Sequence, residues 1–272
     1  SPMSITVENP APAPAVVPAN ATRATPSPLA ELQRLRARHR AEGAPTAEER
    51  AVALDRLASV LKARKDDLAR AVSSDFGHRS THETHVLEVF VTLEELRHAK
   101  AHVAEWMRSQ PRGVNLTFLP ARAEMRYQPL GVVGVISPWN YPVQLALAPI
   151  AGAIAAGNKV MLKPSELTPA TSEVLREILR EALGDDACAV CTGGPEVGEA
   201  FSKLPFDHLV FTGSTQVGKA VMRAASEHLV PVTLELGGKS PALIGPDADL
   251  GRAATEIVTG KMINAGQTCI AP

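Results

Sequence analysis

The chain has 272 residues, 45% hydrophobic, 21% charged and 4% aromatic, which is enough apolar material for one large or two ordinary domains. A net charge of −1 and a pI near 6.7 leave no basic footprint for nucleic acid or an anionic membrane, and so few aromatics argue against base stacking. Three cysteines do not make a disulfide framework. With no apolar run of spanning length and no secretory pattern, the cytoplasm is the expected location.

Residues 1–28 hold seven of the 22 prolines and six alanines, with no leucine or aromatic, and read as a disordered tail. Folded structure is expected from Leu29. Thr46-Ala47-Glu48-Glu49 fits a capping box, and Leu54, Leu57, Leu61 and Leu68 follow on one helical face. A further helix is predicted over Val86–Ser109, stopped by Pro111 and Gly113. Residues 114–129 alternate loosely and suggest a protruding hairpin.

The rhythm then changes. Strands are predicted at Val132–Ile136, Val160–Lys163, Ala187–Thr192, Leu209–Thr212, Val232–Glu235 and Ala242–Ile244. Helices are expected between them at Val143–Ala155, Pro169–Ala182 and Gln216–Glu227, with Thr168 capping the second. Such alternation implies an α/β fold whose parallel sheet is covered on both faces.

Single motifs are ambiguous. Gly131-Val132-Val133-Gly134 lacks the dinucleotide fingerprint and reads more readily as a core strand. Phe211-Thr212-Gly213-Ser214-Thr215 leaves a strand and opens a helix, so it is equally a phosphate-binding turn or an ordinary cap. Lys163-Pro164-Ser165-Glu166 ends a strand where open sheets bind ligands, or is a surface turn. His82/His85 and His98/His102 are better read as solvated helix surface than as metal sites. Cys188 and Cys191, three apart in a strand, point to opposite faces and suit burial better than redox pairing.

The order of the motifs is more specific. Gly131-Val-Val-Gly-Val-Ile-Ser137-Pro-Trp139-Asn140-Tyr141-Pro comes first, then Gly157-Asn-Lys-Val-Met-Leu-Lys163-Pro-Ser165-Glu166, then Phe211-Thr-Gly213-Ser214-Thr. Leu234-Glu235-Leu236-Gly237-Gly-Lys-Ser-Pro and Gly266-Gln-Thr-Cys269 follow. From about Leu29 to the C-terminus this series is similar to the aldehyde dehydrogenase superfamily, and the 34-residue step from Glu235 to Cys269 matches it. The wording around Pro231–Pro241 and Cys269–Pro272 is most like the class 3 branch, which includes bacterial coniferyl-aldehyde enzymes.

The resemblance implies a Rossmann-like NAD(P)-binding domain over 29–235, with the 114–129 hairpin used for oligomerisation, and the start of an α/β catalytic domain over 236–272. It implies Cys269 as nucleophile, Glu235 as general base and Asn140 as oxyanion donor. Ser137, Trp139, Lys163, Ser165, Glu166, Gly213, Ser214, Leu236 and Gly237 would contact NAD, with NADP as the alternative cofactor. Tyr141, Gln144 and Leu145 would line access for an aromatic or medium-to-long aliphatic aldehyde. The activity implied is aldehyde oxidation to the acid through a cysteine thioester, in a homodimer. Alternatives are a CoA-acylating enzyme, disfavoured by Glu235, and a non-catalytic dinucleotide-binding fragment. Relatives continue well past the cysteine, so the resemblance reads the end at Pro272 as a cut through the catalytic domain.

Overall fold

A computed structural model describes residues 27–272. The tail expected over 1–28 therefore lies outside the described residues, except for Ser27 and Pro28, which open the first helix. In α1 (Pro28–Glu42) the Ser27 hydroxyl accepts from Ala30 N, and Pro28 needs no N–H partner. Leu32 and Leu35 are fully buried, and at about 2 kcal/mol each they tie this otherwise polar helix to the body.

In α2 (Ala47–Ala63) the capping box is formed in full: Glu49 N donates to Thr46 Oγ1 at 3.2 Å, and Thr46 N donates to Glu49 Oε2 at 2.7 Å. The leucine face does not stay on one helix. The chain bends at Arg64, so Leu68 belongs to α3 (Lys65–Phe76), although all four leucines are fully buried in one core.

The third predicted helix starts earlier and ends sooner. It runs as α4 (Thr81–Thr84), a π-helical turn over His85–Phe90, and α5 (Val91–Trp106). An antiparallel pair follows, β1 (Gln110–Arg112) with β2 (Ala123–Met125), so the first strand of the ribbon lies before the 114–129 segment.

The sheet then assembles from β3 (Val132–Ile136), α6 (Gln144–Ala155), β4 (Lys159–Lys163), α7 (Pro169–Leu183), β5 (Cys188–Val190), α8 (Pro195–Ser202), β6 (His208–Thr212), α9 (Thr215–Ser226) and β7 (Val232–Glu235). All five strands are parallel, in the order β5-β4-β3-β6-β7. Val133, Val135, Val160 and Leu162 face a core built with α2, α3, α5, α6 and α7. Val132, Met161, Leu209 and Phe211 face the other core, with Leu32 and Leu35 of α1, Phe201 of α8 and Val221 of α9. The period of two along each strand thus sorts residues between two helical layers.

Two local expectations fail. Ala242–Ile244 is not a strand: residues 241–250 are exposed and no neighbouring strand among the described residues takes their N–H and C=O groups. Thr168 does not cap α7 with its side chain. Asp75 on α3 does so instead, its carboxylate accepting from Ala170 N at 3.1 Å and Thr171 N at 2.8 Å. Asp75→Ala should therefore cost about 1–3 kcal/mol, read as a lower urea midpoint at unchanged m-value. An unshifted midpoint would show that water replaces the carboxylate at no cost.

The last described elements are α10 (Leu250–Met262), capped by Asp249, and a short 3₁₀ segment over Ile263–Gly266. No helix among the described residues is long and apolar enough to cross a membrane.

Candidate active site

Strand order reverses between β3 and β6, and in such sheets the ligand crevice opens beyond the carboxyl ends of the strands at that point. Four of the ordered motifs leave the sheet along this rim. Ser137-Pro138-Trp139-Asn140 follows β3, Lys163–Glu166 ends β4, Gly213-Ser214 follows β6, and Glu235-Leu236-Gly237 ends β7.

Backbone bonds tie the rim together. Ser137 N donates to Lys163 O at 3.1 Å, and Gly213 N donates to Glu235 O at 2.9 Å. Lys163 Nζ is buried and donates to Pro164 O at 2.8 Å and to Glu166 Oε2 at 3.1 Å. Partial burial pulls the Glu166 carboxyl upward, but its own N–H and Lys163 outweigh this and hold it below the usual range. Ser165 is half-buried, its hydroxyl accepting from Leu167 N. Trp139 is exposed, its ring 6.1 Å from that of Phe76. Leu236 lies over α9, so that a Cβ on Gly218 would crowd it.

Hydrogen-bonding groups are left open along this rim. Ser214 caps α9 by accepting from Val217 N at 3.3 Å. The N–H groups of Thr215 and Gln216 have no carbonyl within the helix to reach, and they sit at its positive end. The buried Ser137 hydroxyl also has no partner among the described residues. By contrast, Gly131 and Gly134 serve packing: a Cβ at the first would overlap the Asp207 carboxylate, and at the second the Phe206 ring.

The Cys269 segment is carried to this rim by long-range contacts. Asn140 Nδ2 donates to Gln267 O at 3.0 Å, and Tyr141 OH is 2.6 Å from Thr268 Oγ1. Asn264 Nδ2 donates to Asn140 O at 2.8 Å, while Asn264 N donates to Glu83 Oε1 at 2.6 Å. From the other side, Gly238 abuts the Cys269 carbonyl oxygen so closely that an added Cβ would overlap it. Asn140, Gly238 and the Cys269 segment are thus brought together from three distant parts of the chain, with Glu235 three residues before Gly238. Cys269 and Glu235 are both exposed. Among the described residues, no hydrogen bond holds the Glu235 carboxylate.

Tyr141 is buried rather than lining open space, and its phenol is pushed up by burial, opposed by Thr268. Gln144 and Leu145 are half-buried on α6, with Gln144 Nε2 donating to Glu95 Oε1 at 3.3 Å. Further along α6, Ala148 and Ala151 wall a groove of about 530 Å³ against Val91, Glu95 and His98 of α5. A larger concavity of about 900 Å³, bounded by Trp106, Tyr127 and Leu130, holds none of the candidate catalytic residues.

Sequence reading missed Asn264, Glu83, Arg79 and Glu88. Asn264 opens the run that ends at Cys269 and Glu83 lies between His82 and His85, but no pattern gave either a role here, and none marks Arg79 or Glu88. No group of acidic, histidine or cysteine side chains able to hold a metal is found among the described residues.

Cys188 and Cys191 are free and buried on opposite faces of the sheet, and burial pushes their thiols up to about 12 and about 11. Iodoacetamide at pH 8 should therefore label one thiol per native chain, Cys269, and three in denaturant. A second native equivalent at a comparable rate would contradict this burial.

Residues 4–272 match the family model described as the aldehyde dehydrogenase family. A probable coniferyl aldehyde dehydrogenase of Caulobacter vibrioides is 48% identical over 244 residues, covering 89% of this chain and 50% of that protein. The substrate-bound state of Staphylococcus aureus AldH superposes with a TM-score of 0.85 at 36% identity, over 89% of this chain and 53% of the other. An NAD+ complex of aldehyde dehydrogenase from Bacillus cereus gives a TM-score of 0.80 at 32% identity, over 89% and 49%. The chain spans about half the length of the curated relatives it matches. With its ordered motifs gathered on one sheet rim and around one cysteine, the chain belongs to the aldehyde dehydrogenase family.

Proposed function

We propose that these residues oxidise an aldehyde to its carboxylic acid, using NAD or NADP, with Cys269 as nucleophile. The observation that carries this reading is the convergence of Asn140, Gly238 and the Cys269 segment, with Glu235 at the end of the strand that leads to Gly238. We assign 29–235 to dinucleotide binding and 236–272 to the opening of the catalytic unit. The exposed Leu116, Phe118 and Leu119 of the ribbon support a homodimer contact, and the free thiols suit the cytoplasm.

In this mechanism an ordinary thiol is mostly protonated at neutral pH, so Glu235 first accepts the Cys269 proton. The sulfur bonds to the carbonyl carbon, and the C=O π pair moves to oxygen. One Asn140 N–H is committed to Gln267 O, which leaves the other for this oxyanion, beside the Cys269 N–H. A bound nicotinamide dinucleotide supplies the acceptor for the hydrogen and two electrons that leave the carbon. The acyl group is then held on Cys269 as a thioester. Glu235 passes the thiol proton to solvent; water then attacks the thioester, Glu235 takes the water proton, and the C–S bond breaks to release the acid and return the Cys269 thiolate.

Lys163 and Glu166 would hold the adenosine ribose, and the Ser214 turn the pyrophosphate. The Bacillus cereus relative binds NAD+, and Glu166 favours a free 2′-hydroxyl here by repelling a 2′-phosphate. Glu166→Gln should shift the NADP-to-NAD ratio of kcat/KM toward NADP by about tenfold, ~1.4 kcal/mol. An unchanged ratio would remove Glu166 from cofactor choice. The similarity to coniferyl aldehyde enzymes and the α5–α6 groove support an aromatic or extended aldehyde. The reading is tested by product analysis, with these residues in a chain of the relatives' full length. Equal amounts of NAD(P)H and carboxylic acid support it, whereas acyl-CoA as the main product would reassign it.

A further inference from the structure

We propose that the buried Arg79–Glu88 ion pair is the positioning element of the oxyanion site. It would hold segment 140–144 at both ends, so that the Asn140 amide is set against the Cys269 loop. This rests on the assignment of Asn140 as oxyanion donor. Neither charged residue touches Cys269; both act through Asn140.

The pair is fully enclosed, with side-chain exposures of 3% and 0%. Glu88 lies in the π-helical turn, a geometry that breaks helical register and is frequent at functional sites. Its Oε1 accepts from Arg79 Nη1 at 2.8 Å. Its Oε2 accepts from Val143 N at 2.7 Å and Gln144 N at 3.1 Å, the entry to α6. Arg79 Nη1 also donates to Asn140 O at 3.3 Å, and the guanidinium carbon lies 5.1 Å from the Phe76 ring centre and 5.0 Å from that of Tyr141. Arg79 follows His78, whose φ of 98° is rare for a residue other than glycine. A π-turn and two buried charges therefore converge on one five-residue segment.

Stability does not account for this arrangement. Burial pushes the Glu88 carboxyl up, against the pull of Arg79 and the two N–H groups. Arg79 Nε and Nη2 are buried and have no partner among the described residues. Buried ion pairs with unmet donors are commonly matched or exceeded in stability by apolar side chains of similar volume. What apolar side chains cannot do is bond the Asn140 carbonyl and the α6 N–H groups at once. Placement matters here because a shift of about 1 Å at a reacting centre can cost on the order of a hundredfold in rate.

The test uses Arg79→Met/Glu88→Leu and Arg79→Lys, in a chain carrying these residues at the relatives' full length. The double variant should keep its Tm within a few degrees and its NAD affinity within about twofold, yet lose about thirtyfold in kcat at nearly unchanged aldehyde KM. Arg79→Lys keeps the charge without the fork and should lose about tenfold. A kcat within threefold of the parent in both, or a loss that tracks Tm, would overturn the positioning role. If the double variant does not fold, Arg79→Lys decides: lowered kcat at unchanged Tm supports the role, and unchanged kcat overturns it. Undiminished kcat in Asn140→Ala would instead remove the assignment on which the role rests, and the proposal with it.

Discussion

Cys269→Ser should lower aldehyde oxidation by on the order of 10⁴-fold or more while leaving NAD affinity within about twofold. Serine keeps the size of the side chain, and the contacts that place this segment use other atoms: the Gln267 carbonyl, the Thr268 hydroxyl and the Cys269 carbonyl. The site should therefore remain assembled, with a hydroxyl that is far less acidic than a thiol. The residues proposed for the ribose and pyrophosphate lie on other elements, the end of β4 and the start of α9, and are untouched. The measurements are kcat/KM for the aldehyde and calorimetric titration with NAD. Equal loss of both would mean that the change disrupts the fold instead of the chemistry.

Asn140→Ala should cost about 10²–10³ in kcat, the usual cost of one oxyanion donor. The bonds from Arg79 and Asn264 go to the Asn140 backbone carbonyl, so alanine keeps them. Only the side-chain amide is lost, together with its bond to Gln267 O. The loss should appear in kcat and kcat/KM alike, with KM nearly constant, as for an interaction made in the transition state. A rise in KM at constant kcat would assign Asn140 to ground-state binding.

Local physics made much of this fold legible. The Thr46–Glu49 box, Pro169 at the start of α7 and the Ser214 cap each place a helix end from a few residues. Alternation along β3 and β4 places the sheet between two layers. Errors arose where distant groups decide. Asp75 caps α7 from 95 positions away, and nothing near Thr168 announces it. Ala242–Ile244 has strand-like residues, but a strand needs a neighbour to take its backbone groups. The break at Arg64 leaves the leucine spacing intact, and so is invisible to periodicity.

The candidate site was legible for a different reason. Cys269, Asn140 and Glu235 are unremarkable singly and were found through the order of five motifs. Arg79 and Glu88 belong to none of these motifs. Buried charges 61 and 55 positions from their backbone partners leave no local trace, and a π-turn carries no composition signal.

In the proposed mechanism Cys269 carries the acyl group. Rapid acid quench of one turnover with NAD and an aromatic aldehyde, followed by peptide mass mapping, tests it most directly. An acyl mass is expected on the peptide containing Cys269, dependent on both reactants and absent in Cys269→Ser. Formation of NADH with no adduct on Cys269, or with the acyl group on another residue, would contradict it.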